Sequence, residues 1–175
     1  DGSTFNNGYV MGFQNLNVYT EMWNPSAQVI PYSAAGPIQL DSAFVHLAST
    51  YSSSSGMLRD YVNGELVGEV QVFPSTPIAA NDAQLLIGAA PWDPNAYQFY
   101  GALDEVRIWN VARTGTQIKS LMFKELQGNE TGLVAYYNFN TANNANVPDM
   151  SGNNNHGTLQ NSSATCWSWA NSYAP

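Results

Sequence analysis

Apolar and polar residues alternate in short runs along most of the chain: YVMGF, LNVYTEMW, AFVHLASTY, MLRDYVNGELVGEVQVF, AQLLIGAA, QFYGALDEVRIWN and GLVAYYNF. Successive side chains of a strand point to opposite faces, so this alternation predicts half-buried β-strands. Turn residues separate the runs at intervals of about 8 to 15 residues, the rhythm of an antiparallel sandwich. The strongest local signal is YVNGELVG, in which Asn63-Gly64 sits between two alternating runs. Both residues tolerate the positive φ of a type I′ turn, which predicts a tight hairpin. With the preceding AFVHLASTY run and its TYSSSSGMLRD connection, the hairpin becomes a three-strand antiparallel meander.

One stretch changes period. In RTGTQIKSLMFKELQGN, the residues Ile118, Leu121, Met122 and Leu126 recur at helical spacing, with Thr114 or Thr116 as a cap and Gly128 as a stop. This predicts one short amphipathic helix near residues 114–127. Its apolar stripe should dock on the sandwich, because a lone helix of about three turns is not stable without such packing. The stretch NTANNANVPDMSGNNNHGTLQNSS reads as turns and loop, and the closing TCWSWANSYAP as a last strand or packed tail.

Composition narrows the functional classes. A chain of 175 residues fits one domain, 1–175, and can bury a core without staples or metals. Only 10% of the residues are charged, so neutral polar side chains must cover the surface, which suits an extracellular setting. The net charge of -8 and the absence of a Lys/Arg cluster argue against nucleic acid as a partner. No run approaches the ~18 apolar residues of a membrane span, so membrane insertion is not expected. The chain opens on DGSTF, as a mature or excised piece would. Cys166 is the single cysteine, which rules out an internal disulfide and reads as a small, partly buried hydrophobe.

Three segments carry a family resemblance. FVHLASTYSSSSGMLRDYVNGELVG resembles the segment of laminin-G-like, concanavalin-A-like domains in which an aromatic-x-His-Val-Ala strand leads to a Tyr-Val-Asn-Gly hairpin. GALDEVRIWNVARTGTQI resembles that family's Gly-x-(Ile/Leu)-Asp-Glu-Val-Arg-Ile-Trp strand with its Ala-Arg turn and helix. GNETGLVAYYNFN and DMSGNNNHGTL resemble its usual C-terminal portion, and the Asn/Gly-rich residues 141–175 read as a C-terminal extension of the same domain. The resemblance spans roughly residues 40 to 160. It implies an all-β fold, a jelly-roll sandwich of two antiparallel sheets of the kind also used by pentraxins and bacterial surface proteins. It further implies a non-catalytic module that binds glycans or proteins, with a structural calcium near one end of the sandwich. Two departures stand out. Asp60 occupies a hairpin position that is usually apolar, which weakens the expectation that this face is fully buried. The opening residues match a later family hairpin better than the first strands, so the first strands are expected to be missing and completed by the chain's tail, an upstream part of a longer chain or a neighbouring subunit.

The candidate chemistry begins with Asp104-Glu105. Read as strand neighbours, the two carboxylates point to opposite faces and cannot form the paired acids of a glycosidase, which must face one cleft at ~5 to 10 Å. Glu105, Arg107 and Trp109 then share one face, with Glu105 and Arg107 able to pair, and Asp104, Val106 and Ile108 the other. An inward Asp104 needs a partner: backbone N–H groups, Arg113, or a calcium ion shared with Asp93. His46 reads as a packed strand residue and His156 as a solvated turn residue, too far apart in type and place for a zinc site. DMSGNNNHGTL reads as a turn held by Asx side chains. For ligand binding, Trp92, Asp93, Asn95, Tyr97 and Tyr100 combine aromatic faces with hydroxyl-bonding groups in one loop, and Tyr32 marks a second candidate loop. Trp167, Trp169 and Tyr173 are expected to cover the sheet or a seam between subunits.

These readings combine into an extracellular, secreted or cell-surface, non-catalytic adhesion or carbohydrate-recognition module, not an enzyme. The expected partner is a glycan or a surface protein. The alternative of another class is a structural subunit of a surface filament, completed by strands from its neighbours. A glycan-degrading enzyme is the third reading.

Overall fold

A computed structural model describes residues 8–14, 17–23, 29–30, 44–71, 74–75, 77–80, 82–90, 98–140 and 146–160. The chain divides into two compact units, one formed by Asp1–Phe99 with Ala112–Met122, the other by Tyr100–Val111 with Phe123–Pro175. All paired strands in both are antiparallel.

In the first unit, β1 (Gly8–Gln14), β2 (Asn17–Trp23) and β3 (Val29–Ile30) form one sheet in that order. The expected meander forms the other: β4 (Leu47–Ser52), β5 (Met57–Val62) and β6 (Glu65–Gln71). Asn63 (φ 49°) and Gly64 (φ 75°) adopt the left-handed conformations that a type I′ turn requires. Asn63 also ties the turn to the start of β4, since its amide donates to His46 O at 2.8 Å and its side-chain oxygen accepts from His46 N at 2.9 Å.

The two sheets pack face to face. Alternate residues of β2 are buried, and Val18 packs against Val45, Leu47, Val62 and Val67. Met22 and Leu58 make a second cluster with Tyr51, Val70 and Ile78. Between these clusters lies Asp60, which corrects the expectation of a partly open face: it is 0% exposed. Its carboxylate is tolerated there because the Thr20 hydroxyl donates to it at 2.9 Å and itself lies 3.0 Å from the Ser49 hydroxyl. A buried carboxylate without such bonds would be driven out or neutralised.

The helix, α1 (Gly115–Leu121), starts on a capping box at Thr114. The Thr114 hydroxyl accepts from Gln117 N at 3.2 Å, and Gln117 Oε1 accepts from Thr114 N at 2.9 Å. Ile118 is buried, Lys119 pairs with Glu65, and a Cβ on Gly115 would sit 3.1 Å from the Tyr61 ring, so α1 lies close on the meander's outer face. The helix is shorter than the expected 114–127. The backbone beyond it has other partners: Lys124 O accepts from Arg107, Leu126 N donates to Tyr136 Oη, and the amides of Gln127 and Gly128 donate to Glu130. Periodicity alone could not show that these groups are taken elsewhere.

The second unit pairs β7 (Val106–Trp109) with β8 (Leu133–Tyr137), and β9 (Asn146–Val147) with β10 (Gly157–Thr158). Ala135, Tyr137 and Val147 form its core with Val106, Ile108, Phe139 and Leu159. Val106 and Ile108 therefore face inward as their alternation predicts.

Candidate functional site

The outer face of the meander carries a polar groove. Because Ser49, Tyr51, Leu58 and Asp60 turn into the sandwich, their strand neighbours Thr50, Ser52, Met57, Arg59 and Tyr61 turn outward. Cross-strand register sets Thr50 beside Arg59 and Ser52 beside Met57. With Ser55 from the β4–β5 turn, and Ala112, Arg113, Thr114 and Gly115 leading into α1, they line an open groove of about 380 Å³. Tyr61 is only 6% exposed beneath Gly115, so it floors the groove and offers no open stacking face. Arg59 Nε donates to Glu69 on β6 at 2.5 Å, which anchors the guanidinium across the sheet. The lining contains four hydroxyls of Ser and Thr, one of them the capping hydroxyl of Thr114, two guanidinium groups and no carboxylate. Such a set can bond the hydroxyls of a polar ligand. The sequence holds part of the signal for it, since the Asn63-Gly64 turn fixes which residues of β5 face out, but Ser, Thr and Arg at those positions are not conspicuous as the aromatic loops are.

Of the five residues expected to contact ligand, Trp92, Asp93, Asn95 and Tyr97 lie outside the described residues, as do Tyr32, Cys166, Trp167, Trp169 and Tyr173. Tyr100 is described and 87% exposed, with its ring offered to solvent. Asp104 Oδ1 accepts from the amide of Glu105 at 2.9 Å, so the backbone supplies a partner for this carboxylate. Among the described residues no group of three or more His, Cys, Asp or Glu side chains gathers as a metal site.

Glu105 is not a strand residue. It stands at φ 54°, the left-handed region, and β7 begins only at Val106. The strict two-face alternation expected across Asp104 and Glu105 is therefore replaced by a corner. The expected pairing of Glu105 with Arg107 is present nonetheless. The Tyr136 hydroxyl lies 2.8 and 3.0 Å from the two Glu105 oxygens, donating its single proton to the carboxylate, and accepts from Leu126 N at 3.3 Å. Arg107 also donates to Lys124 O and sits 5.7 Å from the centre of the Tyr136 ring, in cation–π range. Burial, and then the bond to Glu105, pushes the Tyr136 phenol well above its ordinary value. Glu105 is thus a structural hub.

The DMSGNNNHGTL turn is held by its Asx side chains as predicted, and by more than local bonds. Asp149 Oδ1 accepts from Tyr136 N and Ser151 N, each at 2.9 Å, and Oδ2 accepts from the Ser151 hydroxyl and Asn155 N, each at 2.9 Å. Asn153 and Asn155 donate to carbonyls of β8. Burial pushes the Asp149 carboxyl up, but the amides of Tyr136, Ser151 and Asn155 and the Ser151 hydroxyl together outweigh it and hold it below the usual carboxylate value. His156 is exposed, as expected, while its Nδ1 accepts from Asp149 N at 3.1 Å.

A meander packed face to face on a second antiparallel sheet, with a capped helix on its outer face, defines a lectin-like β-sandwich of the jelly-roll kind. The chain belongs to the concanavalin A-like lectin/glucanases superfamily, whose laminin G-type model matches residues 2–119. The match takes in the residues before 40 and stops short of the C-terminal segment. Among solved structures, the chain is similar to a "putative carbohydrate binding protein" from Bacteroides ovatus, at 23% identity and a TM-score of 0.63, over 89% of this chain and 50% of that one. The chain thus spans half the length of that neighbour, and the likeness is one of fold. A weaker similarity is to an S-layer domain-containing protein from Clostridium thermocellum, at 19% identity and a TM-score of 0.39, over 65% of this chain and 63% of that one. No curated protein sequence matches the chain.

Proposed function

We propose that the chain is a non-catalytic carbohydrate-recognition module of a secreted or cell-surface protein. The observation that carries this reading is the groove of Thr50, Ser52, Ser55, Arg59 and Arg113 on a lectin-family sandwich: hydroxyls and guanidiniums suited to sugar hydroxyls, with no carboxylate among its lining residues. Hydrolysis of a glycoside needs two carboxylates facing one cleft. Here Glu105 is committed to Arg107 and Tyr136, Asp60 lies inside the sandwich, and Asp149 is saturated by four donors. The low charge of the chain, with neutral polar residues over its surface, supports an extracellular setting.

A structural calcium held through Asp104 and Asp93 belongs to this proposal as a separable part. Melting temperature in millimolar calcium against a chelator tests it: a rise of several degrees with calcium supports the site, and superimposable curves remove it. The recognition reading is tested on a glycan array with the chain at known oligomeric state. Selective glycan binding supports it. No glycan signal, together with assembly that grows with concentration, would replace it by the filament-subunit reading.

A further inference from the structure

The chain carries five Lys and Arg residues against thirteen Asp and Glu, so its average field repels anions. The groove on the outer face of β4 and β5 departs from that average. Two of the five basic side chains, Arg59 and Arg113, line it, and no acidic side chain does. The nearest acid in the structure's bonding pattern, Glu69, is committed to Arg59 through Nε. That bond has a geometric consequence. A guanidinium is a planar fork, and fixing Nε leaves the two terminal nitrogens as the unanchored edge, with no bond to another described residue. The side chain keeps 36% of its surface exposed, so this edge reaches solvent. An arginine fork fixed in this way suits a carboxylate, which accepts two parallel N–H bonds. Around it stand the hydroxyls of Thr50, Ser52 and Ser55, which line the same groove of about 380 Å³. That volume is at the low end of small-molecule sites and has room for one or two sugar rings.

We infer that this groove binds a carboxylate-bearing glycan, a uronic acid residue with its acid group on Arg59 and Arg113 and its hydroxyls on Thr50, Ser52 and Ser55. The inference rests on the glycan-recognition reading and gives it a ligand class and a place. Charge selects the ligand: a neutral sugar finds the hydroxyls but leaves the guanidinium edge with water. Recognition requires no metal at this groove.

The test is calorimetric titration of the whole chain with tri-galacturonic acid, its methyl ester, a neutral trisaccharide and a sulfated disaccharide lacking a uronic acid. The acid should bind, and its ester and the neutral sugar should bind at least about tenfold more weakly, the loss of one charge-assisted contact. Arg59→Gln and Arg113→Gln should each weaken the acid about tenfold, a clearly larger loss than either causes for the neutral sugar. Arg59→Lys, which keeps the charge and loses the fork, should fall between. Circular dichroism melts matching the wild type establish that the variants are folded. Equal binding of acid and ester would overturn the ligand class and leave glycan recognition standing. Tighter binding of the sulfated sugar would overturn the carboxylate assignment. Acid binding unmoved by either arginine substitution would overturn the groove. No binding of any of the four would overturn this inference, while a glycan-array signal elsewhere would keep the broader reading.

Discussion

Replacing Glu105 by Ala tests whether the acid in the GALDEVRIWN segment serves structure or chemistry. The Arg107 side chain is 8% exposed and that of Glu105 21% exposed. Removing one partner of a fully buried ion pair costs roughly 3–5 kcal/mol. Since Glu105 reaches solvent in part, about 2–3 kcal/mol is expected, discounted for the screening that exposure brings. Tyr136→Phe removes one hydrogen bond to a charged acceptor and an acceptor for Leu126 N, for about 1.5–3 kcal/mol. Because both substitutions remove the Glu105–Tyr136 bond, the double variant should lose about 1 kcal/mol less than the sum. Ala keeps the left-handed backbone cost at φ 54°, whereas Gly relieves it, so Glu105→Gly should be about 1 kcal/mol more stable than Glu105→Ala. Urea unfolding followed by far-UV circular dichroism reads these values as shifts in midpoint at constant slope. A Glu105→Ala variant within ~0.5 kcal/mol of wild type, or strictly additive losses, would refute the hub. Glu105→Gln, by contrast, should leave glycan binding intact.

The Asp149 carboxyl, held below its ordinary 3.8 in the folded chain, stabilises the fold above that value, and the stabilisation disappears as pH falls through the lower folded value. Melting temperature should therefore drop below about pH 4, and Asp149→Asn should start lower and fall less steeply; an unchanged acid profile would contradict the bonding described. At the hairpin, Gly64→Ala forces a side chain to φ 75° with its Cβ 2.9 Å from Lys119 Cγ, and should cost about 1–2 kcal/mol in urea unfolding. Asp60→Ala leaves the Thr20 hydroxyl only the Ser49 hydroxyl as an acceptor inside the sandwich and opens a void, and should cost about 2–3 kcal/mol, whereas Asp60→Leu with Thr20→Val should cost less than the single change. The reverse order would show that Asp60 stabilises the core outright.

The strands of the meander were readable because alternation and the Asn63-Gly64 turn agree with one another, and the capping box at Thr114 follows from Thr114 and Gln117 at the right spacing. What escaped the sequence came from partners distant along the chain. Asp60 looks like a breach of the core until Thr20, forty residues away, supplies its bond. Leu126 keeps helical phase with Ile118, yet its amide is claimed by Tyr136. Asp104 and Glu105 look like successive strand residues, and only the left-handed turn at Glu105 separates them from β7. The groove escaped for another reason: its residues are ordinary Ser, Thr and Arg, and only cross-strand register brings them to one face. Aromatic loops are conspicuous in a sequence, and outward hydroxyls are not.

The central claim is recognition without cleavage. The most direct measurement takes the glycan that binds best on the array, incubates it with the chain at saturating concentration, and follows bound ligand and new reducing ends in the same sample. The account predicts saturable binding with reducing ends at the level of the buffer control. Reducing ends that accumulate with time in the wild type and vanish in Glu105→Gln would contradict it.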